Sequence, residues 1–277
     1  MKNLRASRIP QPLPLIGQGT WEMGNSRASR EAEAAALRAG LDLGMTLIDT
    51  AEMYASGGAE EVVAQAVKGR REHVFVVTKV LPGNASRKGV LRACEASLRR
   101  LQTDAIDLYL LHWPGSYPLA ETLASLEELR KQGKIHHWGV SNFDLDAMHE
   151  VEALVPGRCA CNQVLYNLQT RGIEHDVLPW CARNGVLLQA YSPLAQGRLH
   201  VRPALKAVAK RHGVTAHQAA LAWSVRMPAV QAIPKSANPA RVKQNSQAAT
   251  FELSAEDLRA IDAAYPPPRG PTPLETA

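Results

Sequence analysis

Residues 45–54 read Met-Thr-Leu-Ile-Asp-Thr-Ala-Glu-Met-Tyr, a brief apolar run that ends on a carboxylate and is followed by a tyrosine. The apolar part predicts a buried strand, and the part after Asp49 predicts a loop. An ionisable residue directly after a buried strand lies where that strand leaves the core. If other strands end on polar residues in the same way, those strand ends converge on one site.

The alternation of apolar strand and amphipathic helix repeats along the whole chain, which indicates a parallel sheet covered by helices. The predicted strands cover residues 13–21, 45–49, 74–79, 106–112, 135–141, 160–166, 186–191 and 230–233. The predicted helices cover residues 29–43, 60–67, 86–101, 118–132, 144–154, 175–184, 203–211, 215 onward, 239–248 and 254–264. Eight such units in 277 residues predict an α/β fold, a (β/α)8 TIM barrel with extra C-terminal helices. An open doubly wound sheet is the alternative.

No composition shift marks a second domain, so residues 1–277 are predicted to form one. Pro266-Pro267-Pro268 cannot continue the last helix, and a loosely ordered tail is expected over residues 266–277. The N-terminus lacks an apolar core of signal-peptide length, and no segment reaches membrane-spanning length. These features predict a cytoplasmic protein that has no membrane partner.

The charge of +6 and the pI near 9.2 could suit an anionic ligand or a solvated surface. Lysine and arginine are scattered, without the basic stripe and interleaved aromatics of nucleic-acid binding proteins, so no nucleic-acid partner is predicted. The four cysteines fit a reducing compartment. Cys159 and Cys161 have no second pair at metal-ligand spacing, so ordinary thiols and no metal site are predicted.

Seven of the predicted strands end on polar side chains, and in a barrel these ends share the rim that carries the active site. They are Asp49, Lys79, His112, Ser141 with Asn142, Gln163, Tyr191 with Ser192, and Lys235 with Ser236. Taken alone, Lys79 could be a snorkelling lysine and His112 a hydrogen-bonded core histidine. Seven polar ends at one rim favour a functional site instead.

The residue types favour carbonyl reduction. A tyrosine is a poor base and a serviceable acid at neutral pH, because its ordinary pKa is about 10. A lysine ammonium about 4 Å away stabilises the phenolate by roughly 4 kcal/mol. That stabilisation would lower the tyrosine pKa by up to about three units. Asp49 can orient Lys79, and His112 can donate a hydrogen bond to the same oxygen. Such a group protonates an oxygen on which negative charge develops.

Three stretches resemble signatures of the aldo-keto reductase family, and the resemblance runs from about Leu13 to Leu258. They are Gly44-x4-Asp49-Thr50-Ala51-x2-Tyr54, the long stretch Leu98-x2-Leu101-x2-Asp104-x-Ile106-Asp107-Leu108-Tyr109-Leu110-Leu111-His112-Trp113-Pro114, and Ile233-Pro234-Lys235-Ser236. The chain is similar to the short bacterial members that reduce methylglyoxal or 2,5-diketo-gluconate. The resemblance implies a barrel that reduces aldehydes or ketones with NADPH. It also implies the catalytic tetrad Asp49, Tyr54, Lys79 and His112, with Tyr54 as proton donor.

The resemblance further implies a set of NADPH contacts along the rim. They are Gly19, Thr20 and Asp49 near the nicotinamide, Ser141, Asn142 and Gln163 on its carboxamide, Tyr191 under its ring, Ser192 and Leu194 along the pyrophosphate, Lys235, Ser236 and Arg241 on the 2′-phosphate, and Asn245 on the adenine. Arg241 lies near a predicted helix start, where amides and two cations can hold a dianion. Gly17-x-Gly19 lacks the third glycine of a dinucleotide fingerprint.

The substrate pocket implied by the resemblance has Trp21, Tyr54, His112 and Trp113 as its walls. The short loop 113–118 and the short tail predict an open pocket for a small aldehyde or an α-dicarbonyl such as methylglyoxal. Residues 55–59 depart from the family pattern, which leaves the loop beside Tyr54 open. A monomer is expected.

Two other functions remain as alternatives. One is a non-catalytic, NADPH-binding regulatory subunit on the same barrel. The other is a barrel hydrolase such as a glycosidase, which requires a pair of carboxylates across the rim. Asp49 and Glu52 form a poor pair of this kind, because Asp49 has Lys79 as its expected partner.

Overall fold

The computed structural model describes residues 3–277 and contains a closed parallel barrel. Eight strands pair side by side in chain order, and bridges from Ile16 to Ala232 and from Gly19 to Lys235 join the first strand to the last. The strands are β3 (Gln18–Gly19), β4 (Leu47–Asp49), β5 (Phe75–Val80), β6 (Ile106–Leu111), β7 (Ile135–Ser141), β8 (Cys161–Leu165), β9 (Leu187–Tyr191) and β10 (Val230–Ala232). Because the sheet closes on itself, the predicted (β/α)8 barrel is confirmed and the open doubly wound sheet is excluded.

The helices surround the barrel in the predicted order. They are α1 (Arg30–Asp42), α2 (Gly58–Val67), α3 (Arg87–Leu101), α4 (Leu119–Lys131), α5 (Leu145–Leu154), α6 (Val177–Asn184), α7 (Pro203–Arg211), α8 (Ala216–Ser224), α9 (Pro239–Gln247) and α10 (Ala255–Ala264). Two helices are additional to the eight of a (β/α)8 barrel. One belongs to the pair α7 and α8, which both precede β10, and the other is α10, which follows the last unit. Within residues 3–277, no helix is both long and apolar enough to cross a membrane.

Several helices begin where the sequence places a capping residue. The hydroxyl of Ser86 accepts a hydrogen bond from the amide of Gly89, and Thr215 and Ser254 each form a capping box with the residue three positions on. Ser29 precedes α1 as predicted, but its side chain makes no capping hydrogen bond. A cap thus satisfies end amides at three of these four starts.

An antiparallel hairpin, β1 (Asn3–Ala6) and β2 (Ile9–Pro14), precedes the barrel and was not predicted. It divides the predicted strand 13–21, because Leu13 and Pro14 pair with β1 and only 18–19 remain as barrel strand. Prolines at positions 10, 12 and 14 remove amide donors from one edge of β2, which suits a strand with a single partner.

The hairpin covers the N-terminal end of the barrel. The side chain of Ser7 donates to the Gly185 carbonyl before β9, and Arg8 donates to the Cys159 carbonyl before β8. Buried Leu4, Ile9 and Leu13 pack in one cluster with inward side chains of five barrel strands, Leu47, Phe75, Val77, Leu108, Leu110, Cys161 and Leu187. The lower interior is therefore closed and mainly apolar, with the buried Gln231 as a polar exception, and the polar strand ends lie at the opposite rim.

Candidate active site

Lys79 lies at the centre of the polar rim, on β5, with its side chain fully buried. Its ammonium donates to Asp49 Oδ2 at 2.8 Å, to the Thr50 carbonyl at 2.8 Å and to Tyr54 Oη at 3.4 Å. The three N–H groups of the ammonium thus all have acceptors. The structure brings three of the four predicted tetrad residues into direct contact.

The two charges of the Asp49–Lys79 pair support each other in a dry site. Burial is the largest single influence and lowers the pKa of Lys79, but the charges and hydrogen bonds of Asp49 and Tyr54 together outweigh it and the net shift is upward, so the lysine stays charged. Burial raises the pKa of Asp49, and Lys79 opposes that shift. Gln163 Nε2 donates to Asp49 Oδ1 at 2.7 Å, so each carboxyl oxygen faces a donor. That arrangement fits the ionised carboxylate.

The predicted lowering of the Tyr54 pKa is wrong for this site. Burial is the largest influence and raises the pKa of Tyr54, while Lys79 lowers it only in part. The estimate from charge alone omitted the cost of placing a phenolate in a dry pocket. Tyr54 is therefore firmly protonated at neutral pH, as a proton donor must be before the reaction.

His112 completes the tetrad beside the tyrosine, with its ring centroid 5.8 Å from that of Tyr54. Burial, with a further contribution from Lys79, lowers the pKa of His112 to about 2, so the ring is neutral. Its Nδ1 is buried and makes no hydrogen bond within residues 3–277. A buried N–H without a partner is rarer than a buried lone pair without one, so Nδ1 is assigned the lone pair. The single ring proton of the neutral histidine then lies on Nε2. His112 can then donate a neutral hydrogen bond.

The loop after Tyr54 makes a left-handed turn. Ala55, Ser56 and Gly57 have φ values of 50°, 52° and 92°, and α2 begins directly afterwards at Gly58, two residues before its predicted start. A side chain at position 57 would collide with Arg100, whose Nε donates to the buried Glu60 carboxylate at 2.5 Å. This turn and ion pair define the loop path that the sequence left open.

The amide side chains near the predicted carboxamide site are largely committed within the protein. The hydroxyl of Ser141 donates to the Gln163 carbonyl, and Asn142 Nδ2 donates to the His112 carbonyl and to Ser141 Oγ. The Tyr191 hydroxyl donates to Asn142 Oδ1 at 2.9 Å. No residue in 3–277 donates to Gln163 Oε1, which is left to accept a hydrogen bond from a bound group.

Gly19 is the last residue of β3 and pairs with Lys235, and Thr20 follows it. A side chain at position 19 would lie 2.8 Å from the Ile233 carbonyl, so the close approach requires glycine. The buried Thr20 hydroxyl donates to the Asp49 carbonyl at 2.9 Å. Thr20 therefore stabilises the strand end, and its hydroxyl hydrogen is already used within the protein. The predicted position of Thr20 near the nicotinamide stays a prediction.

The predicted phosphate corner consists of Lys235, Ser236 and Arg241, and its two cations are exposed. Within residues 3–277, neither Lys235 nor Arg241 forms an ion pair, so both charges are available to an anion. The proposed help from helix amides needs correction, because Asn238 Oδ1 already accepts from the amides of Ala240 and Arg241. Side chains, rather than backbone amides, are thus the groups suited to a phosphate here.

The remaining predicted cofactor residues lie along the same rim. Ser192 and Leu194 belong to the loop after β9, where Ser192 has a φ of 47° and its carbonyl accepts from Asn167 Nδ2 at 3.1 Å. Asn245 is buried on α9, four residues after Arg241. The exposed cations at one end of this path fit a phosphate group of a dinucleotide. The open Gln163 Oε1 at the other end fits a hydrogen-bond donor of the same ligand.

The two tryptophans predicted as pocket walls are exposed, and Trp113 lies beside the tetrad. Trp21 is 44% accessible and Trp113 is 37% accessible, and the Trp113 ring lies 4.8 Å from the His112 ring. The C-terminal tail also reaches this rim: Leu274 packs against the core, and the Ala277 amide donates to the Tyr191 hydroxyl at 3.3 Å. An exposed apolar surface at Trp113 thus adjoins the buried polar groups of the rim, a combination common in ligand sites.

Sequence reasoning missed several residues that support the site. Gln189 and Gln231 lie inside the barrel below Gln163, Glu52 accepts from the Leu81 amide, and Asn167 supports the loop after β9. A signal was present for the glutamines, since each interrupts a short apolar strand. Within residues 3–277, no cluster of His, Cys, Asp and Glu side chains is arranged to bind a metal.

Comparisons with known proteins agree with this geometry. Residues 15–266 match the model of the aldo/keto reductase family. Methylglyoxal reductase YeaE of Escherichia coli (strain K12) is 53% identical, over 95% of this chain and 95% of its own length. Glyoxal reductase of Bacillus subtilis (strain 168) is 35% identical, over 95% and 93%. The crystal structure of an aldo/keto reductase from Klebsiella pneumoniae in complex with NADP and acetate is 48% identical, with a TM-score of 0.96, and the match covers 100% of this chain and 99% of that one.

Proposed function

Because this chain belongs to the aldo/keto reductase family and is therefore an oxidoreductase, we propose that it reduces small aldehydes and ketones with NADPH and that Tyr54 is the proton donor. The observation that carries the proposal is the buried Lys79 ammonium, which contacts both Asp49 Oδ2 and Tyr54 Oη. NADPH, when bound, supplies the hydride. The protein supplies the proton and the field that stabilises charge on the substrate oxygen.

Each tetrad residue has a distinct role in this proposal. Tyr54 is protonated at rest and gives its proton to the carbonyl oxygen as charge develops there. Lys79 remains charged and stabilises the phenolate that results. His112 is neutral and donates from Nε2 to the same oxygen, while Asp49 holds Lys79 in place. Because Lys79 and Asp49 are nearly inaccessible to water, their interaction with the reacting oxygen is little screened.

The cofactor residues follow from the free groups at the rim. Gln163 Oε1 accepts from the carboxamide, Tyr191 lies under the ring, and Lys235 with Arg241 binds the 2′-phosphate. Two exposed cations at one corner favour NADPH, which carries the 2′-phosphate, over NADH, which lacks it. Support also comes from the NADP named in the Klebsiella complex.

For the substrate, we propose a small α-dicarbonyl such as methylglyoxal or glyoxal. The pocket walls Trp21 and Trp113 are exposed, so the entrance imposes little selection by size. Two of the relatives are named as methylglyoxal reductase and glyoxal reductase.

The test is NADPH oxidation, followed by absorbance, with a panel of methylglyoxal, glyoxal, small aldehydes and sugars. Wild type should oxidise NADPH fastest with the dicarbonyls. Tyr54→Phe should bind NADPH normally and lose about 10²–10⁴-fold in turnover, the usual contribution of a positioned acid. Wild-type turnover in Tyr54→Phe would refute the proton-donor role. NADPH binding without turnover of any carbonyl by wild type would favour the regulatory alternative.

A further inference from the structure

Three buried glutamines form a continuous line of hydrogen bonds through the barrel interior, here called the glutamine relay. Gln231 Nε2 donates to the Pro14 carbonyl at 2.6 Å, and Gln189 Nε2 donates to Gln231 Oε1 at 2.8 Å. Gln163 Nε2 donates to Gln189 Oε1 at 2.9 Å and to Asp49 Oδ1 at 2.7 Å. The relay thus joins the hairpin at one end of the barrel to the tetrad at the other.

The chemistry of the two ends fixes the direction of every amide between them. A backbone carbonyl and a carboxylate can only accept hydrogen bonds. Gln231 must therefore present its nitrogen to Pro14, which leaves its oxygen to accept from Gln189. Gln189 in turn donates with its nitrogen, so its oxygen accepts from the nitrogen of Gln163. Turning the Gln163 amide by 180° would place its oxygen against the oxygens of both Gln189 and Asp49. No other arrangement of Gln163 satisfies these neighbours.

Burial makes this constraint strong. Gln189 and Gln231 are fully buried and Gln163 is 2% accessible, so water does not compete for their amides. A buried polar group is costly unless it is hydrogen-bonded, and three such groups in an otherwise apolar core need a reason. The only amide oxygen of the relay without a donor in residues 3–277 is Gln163 Oε1, at the rim.

We propose that Gln189 and Gln231 are positioning residues, which hold the Gln163 amide so that its oxygen faces the cofactor and its nitrogen holds Asp49. The inference rests on the proposed function, since Gln163 is there the acceptor for the nicotinamide carboxamide. Gln189 touches neither cofactor nor substrate. It acts by fixing both the direction and the plane of the Gln163 amide, which contacts the cofactor.

The test compares the dissociation constants of NADP+ and of its 3-acetylpyridine analogue, in which an acetyl group replaces the carboxamide and removes its N–H donor. Both are measured by fluorescence titration. Wild type should prefer NADP+ by about tenfold, near the upper end for one neutral hydrogen bond. Gln163→Leu sets the baseline by abolishing the preference. Gln189→Met, which has similar length and no polar group, should reduce the preference to below about threefold.

Gln189→Glu provides the rescue, because burial favours the protonated acid, whose hydroxyl donates to Gln231 Oε1 while its carbonyl oxygen accepts from Gln163 Nε2; its preference should stay within about twofold of wild type. Gln218→Ala, which loses the capping box of α8 on the outside of the barrel, controls for thermal stability. A wild-type preference in Gln189→Met would overturn the proposal, and so would an equal loss in Gln189→Glu. Should Gln163→Leu keep the preference, the carboxamide assignment itself fails. If Gln189→Met does not fold, Gln231→Met gives the same readout.

Discussion

Two corners of the rim are built in opposite ways. The buried corner consists of Asp49, Lys79 and His112, which are buried, and the half-buried Tyr54, and hydrogen bonds and ring contacts link the four. The exposed corner, Lys235, Ser236 and Arg241, holds two exposed cations that form no ion pair with any residue of 3–277. A proton donor needs a dry and fixed environment, in which charges act strongly. A cofactor phosphate needs donors that are free to receive it.

The difference has an energetic consequence. Removing a charge from the buried corner leaves its partner unpaired in the core, whereas removing one from the exposed corner leaves nothing unsatisfied. The buried corner should therefore affect both folding and catalysis when it is changed. The exposed corner should affect only ligand binding.

The largest effect is expected for Lys79→Met. It should abolish turnover and lower the free energy of unfolding by about 3–5 kcal/mol, because Asp49 loses its buried partner. Chemical denaturation and NADPH oxidation measure the two losses. If Lys79→Met unfolded at the same denaturant concentration as wild type, the claim that only the buried corner affects stability would be wrong.

A smaller effect, confined to binding, is expected for Arg241→Ala. It should weaken NADPH binding by about 10–100-fold, the worth of one hydrogen bond between charged groups. NADH binding and the unfolding midpoint should stay unchanged. Lys243→Ala is the matched control, since Lys243 is exposed on the same helix but points about 200° away. Equal losses for NADPH and NADH would disprove the 2′-phosphate role.

The smallest effect concerns the pH dependence of stability at His112. Its pKa is lowered to about 2 in the folded protein by burial and by Lys79, against an ordinary value of 6.5. Between these values the unfolded chain binds a proton that the folded protein does not, so stability falls as the pH drops below about 6.5. His112→Asn should therefore remove about 1 kcal/mol of the stability loss between about pH 7 and pH 5.5.

Denaturation curves at several pH values measure this difference, with the exposed His136→Asn as the control. An unchanged pH dependence in His112→Asn would mean that the histidine is accessible to protons in the folded state. The buried corner would then be wetter than the geometry indicates.

Much of the fold could be predicted from local pattern. Strand and helix periodicity depend on neighbouring residues, and the observed elements lie within a few residues of their predicted ranges apart from β3. The hairpin could not be predicted in this way, because alternate prolines in β2 obscure its strand pattern. The first barrel strand was consequently predicted too long.

Strand period and chain order decide which residues end each strand, so the barrel and the polar residues at its rim are predictable from the amino-acid sequence. How those residues act depends on contacts between strands that lie far apart in the chain. Gln163, Gln189 and Gln231 are 26 and 42 residues apart, and strand register alone brings their amides together. The Tyr54 pKa likewise depends on the water excluded around it, and no sequence spacing reports that burial.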